Sequence, residues 1–224
     1  RQEHFVEEIE FVSDMRNGHR HILLNSPILD YQADGDFLWY EMPIIFGQYL
    51  QKRYPLFFKK IDLVPKSKDW LVDAKVKNIN PVFEALNSPI RINSGLHLQS
   101  YWNSYEDSLS LDLKIPGIAY KETKIKDVYL SFNIESDKLD FSTSLNHIDF
   151  NKQYGLDDFK IKINQVGHQM DYDLSIDAQD SVNYFAINGQ TQWKEDRGLV
   201  DIYDLDLEMG GEKWEWRGGD INFD

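Results

Sequence analysis

Three carboxylates near the end of the chain have the spacing of groups that do acid–base chemistry on a β-sheet. Asp204, Asp206 and Glu208 alternate with apolar residues, so all three project from one face of a predicted strand. Carboxylates that flank a bound sugar are the acid and base of many glycosidases. Because the same alternation of acids recurs at Asp171 and Asp173, we favour the solvated outer face of an acidic protein over an active site.

Two other groups of residues have the side-chain types of metal ligands. His19 and His21 share one strand face, but no third ligand lies near them in the sequence. Residues 171–180 are rich in carboxylates but lack the glycine-pinned loop and terminal glutamate of an EF-hand. The chain has no cysteine, which excludes disulfides, thiolate zinc sites and a cysteine nucleophile. We therefore expect no metal site.

Motifs for covalent or cofactor chemistry are missing from the sequence. It contains no nucleophile elbow, phosphate-binding loop or dinucleotide-binding fingerprint. The protein is therefore predicted not to be an enzyme and to need no cofactor. Trp193, Trp214 and Trp216 have the residue type of a sugar-stacking platform, and packing in a groove or core is the favoured alternative.

Composition limits the partners of the chain. Its 224 residues carry 24 Lys and Arg against 38 Asp and Glu, a net charge of -14. Such a charge repels nucleic-acid phosphates and anionic membrane surfaces, so non-specific binding to either is not expected. Aromatic residues make up 14% of a chain whose mean hydropathy is -0.53, which is typical of amphipathic strands. No apolar run approaches the ~20 residues of a membrane-spanning helix.

The elements that position these residues fall into two parts. Residues 1–107 are predicted to hold irregular strands and two short helices, at about 42–54 and 81–87. Residues 108–224 are predicted to form a regular meander of amphipathic strands. The two parts are interpreted as one continuous structural domain of a longer protein.

In the second part, apolar and polar residues alternate with a period of two. This alternation predicts an antiparallel, all-β meander with one apolar and one solvated face. The residues predicted to line the apolar face are Leu109, Leu111, Leu113, Ile115, Val128, Leu130, Phe132, Ile134, Leu139, Phe141, Leu145, Phe159, Ile161, Ile163, Met170, Tyr172, Leu174, Ile176, Leu205, Leu207, Met209, Trp214 and Trp216.

The first part contains a predicted amphipathic helix and a predicted hairpin. Ile44, Ile45, Phe46 and Leu50 form the apolar side of the first helix, which either covers one side of the sheet or plugs a groove. Residues 90–92 are predicted to begin a strand that turns at residues 93–95 and returns as a hairpin.

Two architectures fit the apolar face. A closed sandwich would make it ordinary core, whereas a long sheet folded into a trough would leave it open to a ligand. An adhesion or carbohydrate-binding module would follow from the first architecture. The alternation alone does not decide between them.

Four stretches, in this order, carry a resemblance to a known family. They are YQADGDFLWYEMPIIFGQYLQKRYP at 31–55, DWLVDAKVKNINPVFEALNSPIRINSGLHLQSYW at 69–102, LSLDLKIPGIAYKETKIKDVYLSF at 109–132 and LDLEMGGEKWEWRGGDINFD at 205–224. The chain resembles the TamB branch of the AsmA-like superfamily, in the form found in Bacteroidetes-type bacteria. Residues 1–30 match least.

The resemblance implies a β-taco, a U-shaped sheet with a hydrophobic groove. It also implies a bridge-like lipid-transfer protein, anchored in the inner membrane outside this segment, that carries phospholipid through the periplasm between the inner and outer membranes. An alternative within the family is assembly of outer-membrane proteins with an Omp85-type barrel partner. Burial of acyl chains, at about 0.8 kcal/mol per CH₂ group, would drive loading of such a groove.

Overall fold

The structure of the protein is a computed structural model that describes residues 8–53, 60–93, 95–149, 155–178, 183–194 and 197–223. Within these ranges, the side chains of residues 53, 178, 193, 194, 197, 198 and 220–223 are not described. The described chain is an antiparallel sheet of 14 strands with two short helices. This architecture confirms the predicted fold class, an all-β antiparallel meander that stays open.

The strands lengthen along the chain. They are β1 Glu10–Arg16, β2 His19–Asn25, β3 Leu29–Gly35, β4 Asp69–Val76, β5 Ile90–Ile92, β6 Leu96–Asn103, β7 Ser108–Tyr120, β8 Thr123–Glu135, β9 Lys138–Asp149, β10 Gly155–Val166, β11 Gln169–Ala178, β12 Tyr184–Lys194, β13 Arg197–Met209 and β14 Glu212–Phe223. Tight turns connect several of them. At Asn17-Gly18 and Gly210-Gly211 both central residues have positive φ, as a two-residue hairpin that follows the twist of the sheet requires.

Neighbours in the sheet follow chain order with one exception. The order is β1-β2-β3-β4-β6-β7-β8-β9-β10-β11-β12-β13-β14, and β5 pairs with β7. In the described chain β1 and β14 are the two edges, so the strands form one open sheet that does not close into a barrel. The single sheet also crosses the boundary predicted at residue 107, and the division into two parts stays a prediction.

The predicted hairpin at residues 90–102 is wrong. β5 and β6 do not pair with each other but lie end to end along β7, where β6 starts pairing opposite Lys114 and β5 ends opposite Ile118. Pro116 lies between these two contacts, at a position where the missing N–H of proline leaves no ladder hydrogen bond unmade. The backbone N–H of Asn93 donates to the carbonyl of Gly117 at 2.8 Å. The proline therefore suits the place on β7 where the pairing partner changes from β6 to β5.

The two helices interrupt the meander on either side of β4. A short 3-10 helix, Trp39–Glu41, leads into α1, Met42–Arg53, and Pro43 suits the first turn of α1 because its φ is already helical. Helix α2 spans Asn80–Ala85. The helix predicted at 42–54 matches α1 except for residue 54, which lies outside the described residues.

Four neighbouring strands change the phase of their alternation along one line across the sheet. On β7 to β10 the apolar face switches from a spacing of two residues to a spacing of three, and Asp127 and Asp158 on this line have positive φ. The pairs of residues that flank the line are Ile115 and Ile118, Val128 and Ile125, Leu145 and Ile148, and Phe159 and Leu156. Each strand thus keeps apolar residues on the same face on both sides of the shift.

Candidate functional site

One face of the sheet, here called the apolar face, carries every residue predicted to line a groove. The register shows this directly, because Leu111 lies opposite Phe132, Phe132 opposite Phe141, Phe141 opposite Ile163 and Ile163 opposite Tyr172. Directly opposed residues in antiparallel strands project from the same face. The row leads through β7 to β11 without a polar interruption, so a continuous apolar surface crosses these strands.

Helix α1 covers part of this face. Ile45 has only 1% of its surface exposed and belongs to the same buried cluster as Trp70, Trp102 and Phe132. The rings of Phe46 and Phe132 have centroids 4.7 Å apart. Of the predicted plug residues, Ile45 is therefore buried and Phe46 is in contact with the sheet.

The other two plug residues, Ile44 and Leu50, are half-buried. Four predicted lining residues lie in the buried cluster as well; they are Leu109, Phe132, Ile134 and Leu139. In this conformation they are core and not surface that a ligand reaches.

A buried carboxylate fastens the chain that returns from α1. Glu41 is nearly inaccessible, and its Oε2 accepts hydrogen bonds from the backbone N–H of Lys66 at 3.0 Å and from the N–H and hydroxyl of Ser67 at 2.8 and 2.6 Å. The hydrogen bond from the Ser67 side chain holds the pKa of Glu41 below its usual range. The Gln48 amide also donates to the carbonyl of Leu63. These contacts position α1 over the sheet.

Beyond β9 the apolar face has no such cover in the described chain. Every buried apolar side chain that the structure describes lies between Ile22 and Leu139. From β10 to β14 the apolar residues are only partly buried, and Met209 is 56% exposed. A shallow cleft of about 360 Å³ opens here, and its apolar lining is Leu156, Ile176, Tyr184, Phe185, Leu207 and Met209.

Aromatic side chains lie across two glycines on this open part of the face. A Cβ at Gly189 would come within 2.6 Å of the Tyr172 hydroxyl on the neighbouring strand, and one at Gly219 would overlap the Trp216 ring. An aromatic ring that covers a glycine fills the space that a missing side chain leaves in a sheet. Partial burial raises the pKa of Tyr172. Trp214 remains half-exposed, and the side chain of Trp193 lies outside the described residues.

The opposite face, here called the outer face, carries the three carboxylates that the sequence singles out. The Arg217 guanidinium pairs with Asp204 at 3.3 Å and with Asp206 at 2.8 Å. Its hydrogen bond to Asp206 raises the pKa of Arg217. Glu208 lies opposite Lys213. Asp204 and Asp206 are thus paired with a base on β14, as on the solvated outer face that the sequence predicts.

The two histidines considered as metal ligands each face a different aspartate. His21 Nδ1 lies 2.6 Å from Asp34 Oδ1, and His19 Nδ1 lies 3.5 Å from Asp69 Oδ1. Among the described residues, no group of three or more potential ligands is placed to hold a metal ion. Within the same residues, no helix combines the length and apolar composition that crossing a membrane requires.

The outer face also holds a larger cleft, of about 610 Å³, across β2, β3, β4, β6 and β7. Its acids are already occupied by neighbours. Asp73 lies 3.1 Å from the His97 ring and accepts from the Gln99 amide at 2.8 Å, and the Gln32 amide donates to Asp34 at 3.3 Å. The cleft is therefore a polar surface on which Asp73 and Asp34 already have partners.

The sequence interpretation missed parts of the apolar face. Phe185 and Ile187 on β12 belong to it, since they lie opposite Ile176 and Leu174. Their alternation within YFAINGQ was the available signal. On β3 and β4, Ala33 lies opposite Val72 on the same face. This part of the apolar face was not predicted, because the strands of the first part are short and their alternation is irregular.

Comparison of the chain with protein-family models, with curated proteins and with solved structures gives no match. The likeness to the TamB branch therefore stays a prediction from the sequence.

Proposed function

We propose that this chain is a lipid-transfer segment whose apolar face carries the acyl chains of phospholipid. The observation that supports this proposal is the uncovered apolar surface of β10 to β14, next to a part of the same face that α1 covers. Water leaves such a surface when an alkyl chain covers it, and each buried CH₂ group contributes about 0.8 kcal/mol. The headgroup stays in water at the edge of the face.

The arrangement of the face suits sliding rather than tight capture. Leu174 lies opposite Ile187, and Ile187 lies opposite Leu205, so similar side chains follow one another from strand to strand. Burial energy depends on area and hardly on direction, so an acyl chain meets similar free energies at each strand. This chemistry needs no catalytic group.

The resemblance to the TamB branch adds the setting of this proposal. The chain would be a segment of a longer, inner-membrane-anchored protein in the periplasm of a Gram-negative cell envelope. There it would form part of a bridge for phospholipid between the two membranes.

The test is the phospholipid content of the purified protein, measured by extraction and mass spectrometry. Leu207→Arg puts a charge on the apolar cleft, and Tyr203→Arg puts the same charge on an exposed side chain of the same strand that does not line this cleft. We expect phospholipid with the wild type and with Tyr203→Arg, and several-fold less with Leu207→Arg at an unchanged melting temperature. Equal lipid content in all three proteins, or none in the wild type, would reject the proposal.

A second candidate is a scaffold for outer-membrane protein assembly with an Omp85-type partner. This alternative comes from the resemblance to the TamB branch, and it would use an edge of the sheet, which in the described chain includes β14, because an edge strand offers unpaired N–H and C=O groups to an incoming strand. A photo-crosslinking residue at Lys213 tests this function. Crosslinks to unfolded outer-membrane proteins would support this function if a competing strand peptide reduces them. The absence of crosslinks would reject it.

A further inference from the structure

Strand β5 has an open side although it lies in the middle of the chain. Among the described strands it pairs only with β7, so its other side has no neighbouring strand. We call this side the free edge of β5. The residues of β5 favour pairing, because Ile90 and Ile92 are β-branched. An edge of this kind offers its backbone N–H and C=O groups to any extended chain that approaches.

The register identifies the backbone groups on the free edge. The N–H of Asn93 donates to the carbonyl of Gly117 on β7 at 2.8 Å. In an antiparallel pair, every second residue bonds to the same neighbour, so Arg91 also directs its N–H and C=O towards β7. Ile90 and Ile92 direct theirs away from β7. The free edge therefore carries four backbone groups, two donors and two acceptors.

Side chains occupy all four of these groups. Asn80, the first residue of α2, bonds to both groups of Ile92: its Oδ1 accepts from the N–H and its Nδ2 donates to the carbonyl, each at 2.9 Å. The Ser88 hydroxyl accepts from the N–H of Ile90 at 3.3 Å, and the Arg91 guanidinium donates to the carbonyl of Ile90 at 2.9 Å. A carboxamide has one acceptor and donors in one plane, so Asn80 reproduces the two bonds that a neighbouring strand would make.

Two further features oppose pairing at the free edge. Pro89 directly precedes β5 and has no N–H, so a ladder cannot extend past it. The exposed Arg91 guanidinium also donates to the carbonyl of Ser88 at 3.0 Å and lies 3.6 Å from Glu84. Proline and charged side chains are the means by which natural sheets prevent edge-to-edge association.

We infer that Asn80 seals the free edge of β5 against pairing with β5 of a second copy of the chain. Without this seal, two copies fit each other in an antiparallel register centred on Arg91, because Ile90 of each copy then lies opposite Ile92 of the other. This register pairs the outward-facing groups of both isoleucines, and opposed β-branched side chains stabilise a sheet. The seal needs no lipid, so this inference goes beyond the proposed function and does not rest on it.

A single cysteine tests the inference, because the chain has none of its own. In the proposed register residue 91 faces its copy as a non-hydrogen-bonded pair, with Cα atoms about 4.5 Å apart, which a disulfide can bridge. Arg91→Cys also removes the like charges that would face each other. Under mild oxidation we expect several-fold more disulfide-linked dimer from Asn80→Ala/Arg91→Cys than from Arg91→Cys, in which Asn80 still bonds to Ile92.

Asn103→Ala/Arg91→Cys is the matched control. Asn103 also accepts from backbone N–H groups, those of Tyr105 and Glu106, but its strand, β6, has a neighbour on each side. This protein should form no more dimer than Arg91→Cys. Equal amounts of dimer in all three proteins would overturn the inference.

Hydrogen exchange distinguishes a seal from an ordinary structural contact. In dilute Asn80→Ala the N–H of Ile92 has lost its acceptor, so it should exchange about tenfold faster than in the wild type. At high concentration, pairing of two copies should restore this protection, and sedimentation velocity should show a dimer that the wild type lacks. If Asn80→Ala does not fold, Asn80→Ser replaces it, because a short hydroxyl cannot bond to both groups of Ile92. Exchange at Ile92 that does not depend on concentration in the folded variant would refute the seal.

Discussion

Two regions of one sheet bear the same apolar pattern but end in different environments. In the covered region, β2 to β9, Ile45 of α1 lies on a cluster of fully buried side chains. In the open region, β10 to β14, no described apolar side chain is fully buried. The strands alternate in the same way in both regions. In the described chain, the part of the apolar face that becomes core is thus the part that packs with Ile45 of α1.

The largest expected effect distinguishes the two regions by stability. Ile45→Ala removes a buried side chain of the covered region and should lower the free energy of unfolding by about 2–5 kcal/mol. Leu174→Ala, on the half-buried face of the open region, should cost roughly 1 kcal/mol, because less apolar area leaves the protein interior. Denaturant titration measures both. Similar losses would mean that the open region is core as well.

A buried hydrogen bond should give an intermediate effect. The Trp70 indole N–H donates to the Ser100 hydroxyl at 3.0 Å inside the covered region. Ser100→Ala leaves that donor without a partner and should cost about 1–3 kcal/mol. Gln190→Ala removes an exposed hydrogen bond to Asp171 in the open region and should change the unfolding free energy by less than about 0.5 kcal/mol. Equal losses of unfolding free energy in the two variants would contradict the difference in burial between the covered and the open region.

The smallest effect is expected at the border of the two regions, and it depends on pH. His147 on β9 contacts Asp157 on β10 and lies 2.7 Å from Asp149, and these hydrogen bonds raise the pKa of His147. Because the folded pKa is the higher one, the stabilisation is complete below about pH 6.5 and is lost as the pH rises through the folded value. His147→Asn should remove this part of the pH dependence.

Melting temperatures recorded from acid to mildly alkaline pH provide the check. The wild type should lose its advantage over His147→Asn as the pH rises. An advantage that grows with pH would contradict the assignment.

Much of the sheet follows from the sequence because alternation determines which residues share a face. The rows from Leu111 to Tyr172 were predictable for this reason. The place of α1 was not, since Ile45 and Phe46 have the same pattern in a plug and in a cover. The contact of Glu41 with Ser67 joins positions 26 residues apart, and no local signal points to it.

The error at β5 has a different origin. A turn-like stretch at residues 93–95 between two apolar segments is typical of a hairpin, whereas the observed partner of Ile92 is Ile118 on β7, 26 residues further along the chain. Pro116 was the signal, because a proline in a central strand marks an interruption of its ladder. The phase shift on β7 to β10 could also be recognised in the sequence, because each of these strands has a pair of apolar residues three positions apart.

Photolabelling tests the central claim most directly. A phospholipid with a diazirine in its acyl chain is loaded onto the wild-type protein, illuminated, and the labelled residues are assigned by tandem mass spectrometry. We expect labels on the apolar face of the open region, at Leu174, Ile187, Leu205 and their neighbours, and few on the buried cluster beneath α1. Labels confined to the outer face, or spread equally over both faces, would contradict the claim that this face carries lipid.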